Sequence, residues 1–126
     1  MFMRATIGSI NNSVIHDNSA QIGGAMCLED LLWYDVYFNN LIISDNYSES
    51  YEIVYFNNST IIMNHLTLNE NSSLSALITL NNSNATINNS IIWDNTPGDI
   101  IVNYNSELLI TYSNIDGGFD GEGNIN

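Results

Sequence analysis

Apolar and polar positions alternate along this chain in short files that repeat. Runs of three to five residues drawn from Ile, Val, Leu, Thr and Tyr are separated by Asn-Asn, Asn-Ser or Gly-Gly. Strand formers punctuated by turn formers predict short β-strands joined at tight corners. Five windows align: NNSVIHDN at 11–18, NNLIISDN at 39–46, NHLTLNEN at 64–71, NNSIIWDN at 88–95, and a degenerate TYSNIDGG at 111–118. Their starts lie 28, 25, 24 and 23 residues apart. A period in this range marks a solenoid. A second register runs in phase, through FNNS at 56–59, LNNS at 80–83 and YNS at 104–106.

The periodicity also assigns an inside and an outside. The residue before each window is apolar: Ile10, Phe38, Met63, Ile87 and Ile110. The fifth window position is aliphatic: Ile15, Ile43, Leu68, Ile92 and Ile115. Side chains alternate faces along a strand, so these two columns are predicted to point inward and stack on themselves from coil to coil. Their neighbours, such as Ser9, Tyr37, His16 and Trp93, vary in polarity, as an outer face does. The expected fold is all-β: a parallel β-helix of about five coils with roughly 24 residues each, forming one domain over 1–126. The LTLNEN stretch at 66–71 also fits part of a leucine-rich repeat. That fold needs a helical segment on its convex side, whereas the rest of each coil here is another Asn-flanked strand.

Asparagine accounts for 22 of the 126 residues. At a corner it tolerates left-handed backbone angles and bonds nearby amides. Stacked at the sheet spacing of about 4.8 Å, its amide can also bond the same residue one coil away. The columns Asn18, Asn46, Asn71 and Asn95 are therefore read as structural.

The NSIIWDN run at 89–95 and the C-terminal TYSNIDGGFDGEGNIN at 111–126 resemble the right-handed parallel β-helix repeat proteins of the pectin-lyase-like superfamily. The stretch NSAQIGGAM at 18–26 resembles the Gly-Gly-Ala repeat of chlamydial polymorphic outer membrane proteins, which are surface adhesins. The resemblance implies a right-handed coil and an extracellular or cell-surface setting, with neighbouring coils of a longer parent chain as partners. It also implies that enzymes of this type would be polysaccharide lyases or glycoside hydrolases. The residues expected of those enzymes are not here: Lys is absent, Arg4 is the sole Arg, and there is neither an Asp-Asp pair nor a Gly-His-Gly. His16 and His65 fall at different window positions and read as turn and surface residues.

Composition narrows the partners. Fourteen carboxylates against one Arg give a formal charge of −13. Without a basic patch, binding nucleic acid by phosphate neutralisation is excluded. No run reaches the roughly 18 apolar residues of a membrane span. Cys27 is the only cysteine, so there is no internal disulfide.

Three stretches invite chemistry. The seventh window position carries Asp17, Asp45, Glu70 and Asp94. Stacked about 5 Å apart, such carboxylates raise one another's pKa or recruit a cation, and oxygen-rich files suit weakly held Ca²⁺. The competing and better supported reading is that each opens an Asx-type turn with its charge in water, and no other cofactor is expected. The second stretch, 116–124, matches no calcium-loop spacing and reads as a glycine-rich turn. The third is 27–35, where the first coil carries about four extra residues. Insertions in solenoids emerge as loops, and Trp33, Tyr34 and Tyr37 there could stack on a sugar ring or cover one end of the stack. Both ends of the stack are expected to expose unpaired strand edges. The function expected is a non-catalytic repeat segment of a secreted or surface protein: a rigid scaffold in adhesion or in contact with a polysaccharide or cell-surface ligand. A fragment of a lyase or hydrolase is the alternative.

Overall fold

The computed structural model describes residues 1–4, 8–97 and 101–126, and among these all side chains except those of 3, 32–34 and 101–103. The described residues form strands and no helix: β1 (Phe2–Arg4), β2 (Ser9–His16), β3 (Ser19–Ala20), β4 (Met26–Ser44), β5 (Tyr47–Ser48), β6 (Val54–Asn69), β7 (Ser72–Ser73), β8 (Ile78–Asn81), β9 (Asn84–Asn88), β10 (Ile91–Trp93), β11 (Ile101–Tyr104), β12 (Glu107–Thr111) and β13 (Asn114–Ile115). Every pairing between them is parallel. The chain is a parallel β-solenoid of about four turns, with about 25 residues per turn. Five windows bound four full turns, which is why the count of coils is lower than the count of repeats.

Three sheet faces wrap each turn. The first face stacks β1, the start of β4, the start of β6, β8 and β11. The second stacks the start of β2, 36–39 of β4, 60–64 of β6, β9 and β12. The third stacks 13–16, 41–44, 66–69, β10 and β13. A small sheet of β3, β5 and β7 follows the third face. The predicted register holds: Ile15, Ile43, Leu68, Ile92 and Ile115 lie in one file. A second file holds Ile10, Phe38, Met63, Ile87 and Ile110. Both files belong to the apolar core, with Ile10 and Ile15 partly uncovered at one end.

The corners follow one rule. An outward residue adopts positive φ, and the next residue turns inward. Asp30, Asn58, Asn82 and Asn105 do this between the first and second faces; Asn12, Asn40, His65, Asn89 and Tyr112 do it between the second and third. At the third corner the left-handed residues are Asp17, Asp45, Glu70 and Asp94, with φ of 53–56°. The asparagine that follows each of them is not itself left-handed. It carries the ladder instead: Asn18, Asn46 and Asn71 each donate Nδ2 to Oδ1 of the next asparagine in the file at 2.9 Å. Asn46 and Asn71 are only 1 % exposed. Serines do similar work at the other corners, where Ser83 and Ser106 Oγ accept the backbone N–H of Ser59 and Ser83.

Two expectations need correction. The first coil is three residues longer than the second and four longer than the third, and the first three of these arise at one place. The chain takes five steps from Leu31 to Val36 where the next coil takes two from Ser59 to Ile61. The excess stays within β4 as a bulge and does not leave the sheet as a loop. The two ends also differ. The segment 122–126 lies across the last coil as half a rung: Tyr112 and Ser113 donate their N–H groups to Glu122 O and Asn124 Oδ1, and Ile125 pairs with Asn114. Gly123 (φ +70°) takes the left-handed corner in the file of Tyr112; a Cβ there would stand 2.3 Å from the Tyr112 ring. Gly121 is equally constrained, because its Cβ would meet Ile110 O at 2.0 Å. The glycine-rich turn is thus the closure of one end, which the sequence alone left as an open edge.

Candidate functional site

On the second face one outward file keeps to the repeat, while another, Ser9, Tyr37, Ile62, Thr86 and Leu109, varies. Asn11, Asn39, Asn64 and Asn88 form one outer ladder, in which Asn39, Asn64 and Asn88 each donate Nδ2 to the Oδ1 of the asparagine before them at 2.8–3.2 Å, and Thr111 closes it by donating its hydroxyl to Asn88. The first face carries thiol, tyrosine and carboxyl groups beside its amides. One outward file there reads Cys27, Tyr55, Thr79; the next reads Glu29, Asn57, Asn81, Tyr104. Their inward neighbours Leu28, Phe56 and Leu80 are fully buried, so the outward residues stand on a rigid floor. The turns that lead into this face rise beside it and bring Ile22, Tyr51, Glu52 and Ser75. Between floor and wall lies a groove of about 620 Å³ lined by these residues and by Cys27, Glu29, Tyr55, Thr79, Asn81 and Tyr104.

Glu52 is the unusual group in it. The residue is only 4 % exposed. Its carboxyl accepts hydrogen bonds from its own N–H, from Gly23 N–H and from the Thr79 hydroxyl. Burial outweighs these bonds and lifts its pKa above the ordinary glutamate range. Those bonds give Glu52 a structural role, since they tie the Gly23 turn of one coil to the sheet of another. Burial first, then the nearby Glu29 and Glu52 carboxylates, push the Cys27 thiol up to about 11, so it is a poor nucleophile at neutral pH. No Lys, Arg or His lines the groove. It can offer tyrosine rings for stacking and carboxyl, hydroxyl and amide groups for hydrogen bonds, and it repels anions.

The acidic file Asp17, Asp45, Glu70 and Asp94 stacks in register as expected, and all four residues are exposed at their left-handed corners. Asp17 contacts His16 Nδ1 at 2.7 Å. Among the described residues no three His, Cys, Asp or Glu side chains converge as metal ligands. Tyr37 lies on the second face, exposed, with its hydroxyl donated to Asp35 Oδ2 at 3.3 Å. The Trp33 and Tyr34 side chains lie outside the described residues. Tyr37 and the acidic file are therefore not part of the groove on the first face. Sequence reasoning missed Glu52, Tyr55 and Thr79 as a group, because they sit between the two registers that carry the repeat. No periodic signal marks them, because outward columns elsewhere, such as Ser9, Tyr37, Ile62, Thr86 and Leu109, vary as much.

No protein-family model matches the chain, and no curated protein or solved structure is significantly similar to it.

Proposed function

We propose that this chain is a non-catalytic, rigid scaffold segment of a secreted or surface protein, of the right-handed pectin-lyase-like type, and that its first sheet face holds a neutral glycan. The observation that carries the reading is the convergence of Tyr51, Tyr55 and Tyr104 with Glu52, Thr79 and Asn81 along one groove that lacks a basic residue. Aromatic rings stack on the apolar faces of sugars, while carboxyl and amide groups bond their hydroxyls. The charge of −13 disfavours uronate polymers, which leaves uncharged saccharides as the matching class. The test is calorimetric titration with neutral and with uronate oligosaccharides. Neutral oligomers bind, uronates do not, and Tyr55→Ala abolishes binding while Tyr37→Ala leaves it intact. Binding that survives Tyr55→Ala but is lost in Tyr37→Ala moves the site to the second face and refutes the reading.

One observation favours a second reading, a glycoside hydrolase fragment. A carboxyl whose pKa is raised by burial is the kind of group that serves as a general acid, and a second carboxylate, Glu29, lines the same groove. Release of nitrophenol from neutral aryl glycosides, lost in Glu52→Gln, would establish it.

A further inference from the structure

The two ends of the stack differ in how well they are covered. At the end closed by 122–126, Ile110 and Ile115 are 0 % exposed. At the other end their file mates Ile10 and Ile15 are partly uncovered. The backbone repeats the contrast. Asn114 and Asp116, in the files of Val14 and His16, donate their N–H groups to Ser90 O and Ile92 O of the coil before at 2.9 Å. The same register aims the N–H groups of Val14 and His16 at the open end.

The side-chain ladders have direction as well. Inside, each Oδ1 accepts from the coil before it: Asn46 Oδ1 takes both the N–H and the Nδ2 of Asn18 at 3.1 and 2.9 Å, and Asn71 Oδ1 takes both from Asn46. Outside, direction reverses, and Asn40 donates Nδ2 to Asn12 Oδ1 at 2.9 Å. The open rung therefore presents an inner acceptor, Asn18 Oδ1, and an outer donor, Asn12 Nδ2. It is also nearly free of charge: Asp17 is the single carboxylate in 9–18, and His16 contacts it.

We propose that this rung, Ser9–His16 with Asn18, is a docking edge for another parallel β-coil with asparagine corners, laid in the same chain direction beside β2 on the side away from β4. Such a coil supplies an inner asparagine donor over Asn18, an outer asparagine acceptor over Asn12, and backbone carbonyls for Val14 and His16. A second copy of the intact chain does not fit. Two open ends face to face set acceptor against acceptor, and the far end of a copy is already occupied by 122–126. The interaction is strand addition to a sheet edge, with corner amides setting direction and register.

A fluorescent peptide of residues 36–48 is the probe, because Asn40 and Asn46 stand in the files of Asn12 and Asn18. The intact chain is expected to bind it one to one by anisotropy, and to bind the reversed sequence at least about tenfold more weakly. Val14→Pro, which removes an edge donor without a new charge, weakens binding by about tenfold. Should that variant lose its β-sheet dichroism, hydrogen exchange on the unaltered chain decides: the peptide slows the amides of Val14 and His16 and leaves those of 107–111 unchanged. Equal binding of both peptides, no saturable binding, or protection at 107–111 overturns the proposal.

Discussion

At the residue scale, stability rests on polar side chains that the fold has taken out of water. Asn71 shows the consequence. Its Nδ2 lies 2.9 Å from Ile43 O, Asn69 O and Asn95 Oδ1, and its Oδ1 accepts from both the N–H and Nδ2 of Asn46. Removing it strands several buried groups, each at about 1–3 kcal/mol. Asn71→Ala is therefore expected to lower unfolding stability by about 3–5 kcal/mol in urea melts. An effect below about 1 kcal/mol would mean that water replaces the ladder. Its neighbour should behave oppositely. Glu70 holds φ 56°, where a side chain costs about 1–2 kcal/mol and glycine does not. Glu70→Gly is expected to raise the melting temperature slightly, and a fall would contradict the corner rule.

Glu52 supplies the pH dependence. Its folded pKa is raised, so the folded state holds the proton more tightly than the unfolded state. The stability this confers is complete below the ordinary glutamate pKa of about 4.3 and is lost as pH rises through the folded value. Glu52→Gln removes that loss. The variant should be more stable than the parent at neutral pH, with the difference closing in acid. A variant less stable at pH 7 would show that its bonds to Gly23 and Thr79 outweigh its burial.

At the scale of elements, the sequence disclosed the parts governed by repetition. Ile15, Ile43, Leu68, Ile92 and Ile115 share one file because each occupies the same place relative to an Asn pair, and parity along a strand does the rest. Assigning left-handed geometry at the third corner to asparagine was off by one residue. Asp and Glu can occupy that conformation when the following asparagine is locked by its ladder. Length differences placed the insertion near 27–35 but could not show that β4 absorbs it as a bulge between Leu31 and Val36. The groove was hidden for a related reason. Its walls are the turns around Ile22, Tyr51 and Ser75, which differ from coil to coil and leave no period to read.

For the whole molecule, the account joins two unlike regions. The inward apolar files and the corner ladders repeat closely and hold the stack in register. The first face gathers tyrosines, a buried carboxyl and an amide in one groove. The most direct measurement is a ¹⁵N-resolved NMR titration of the whole chain with a neutral oligosaccharide. The account predicts shift changes confined to the amides around Ile22, Cys27, Tyr51–Tyr55, Thr79 and Tyr104, with the Asn46 and Asn71 side-chain amides unmoved. Changes centred on Tyr37 or spread along the second and third faces would contradict it.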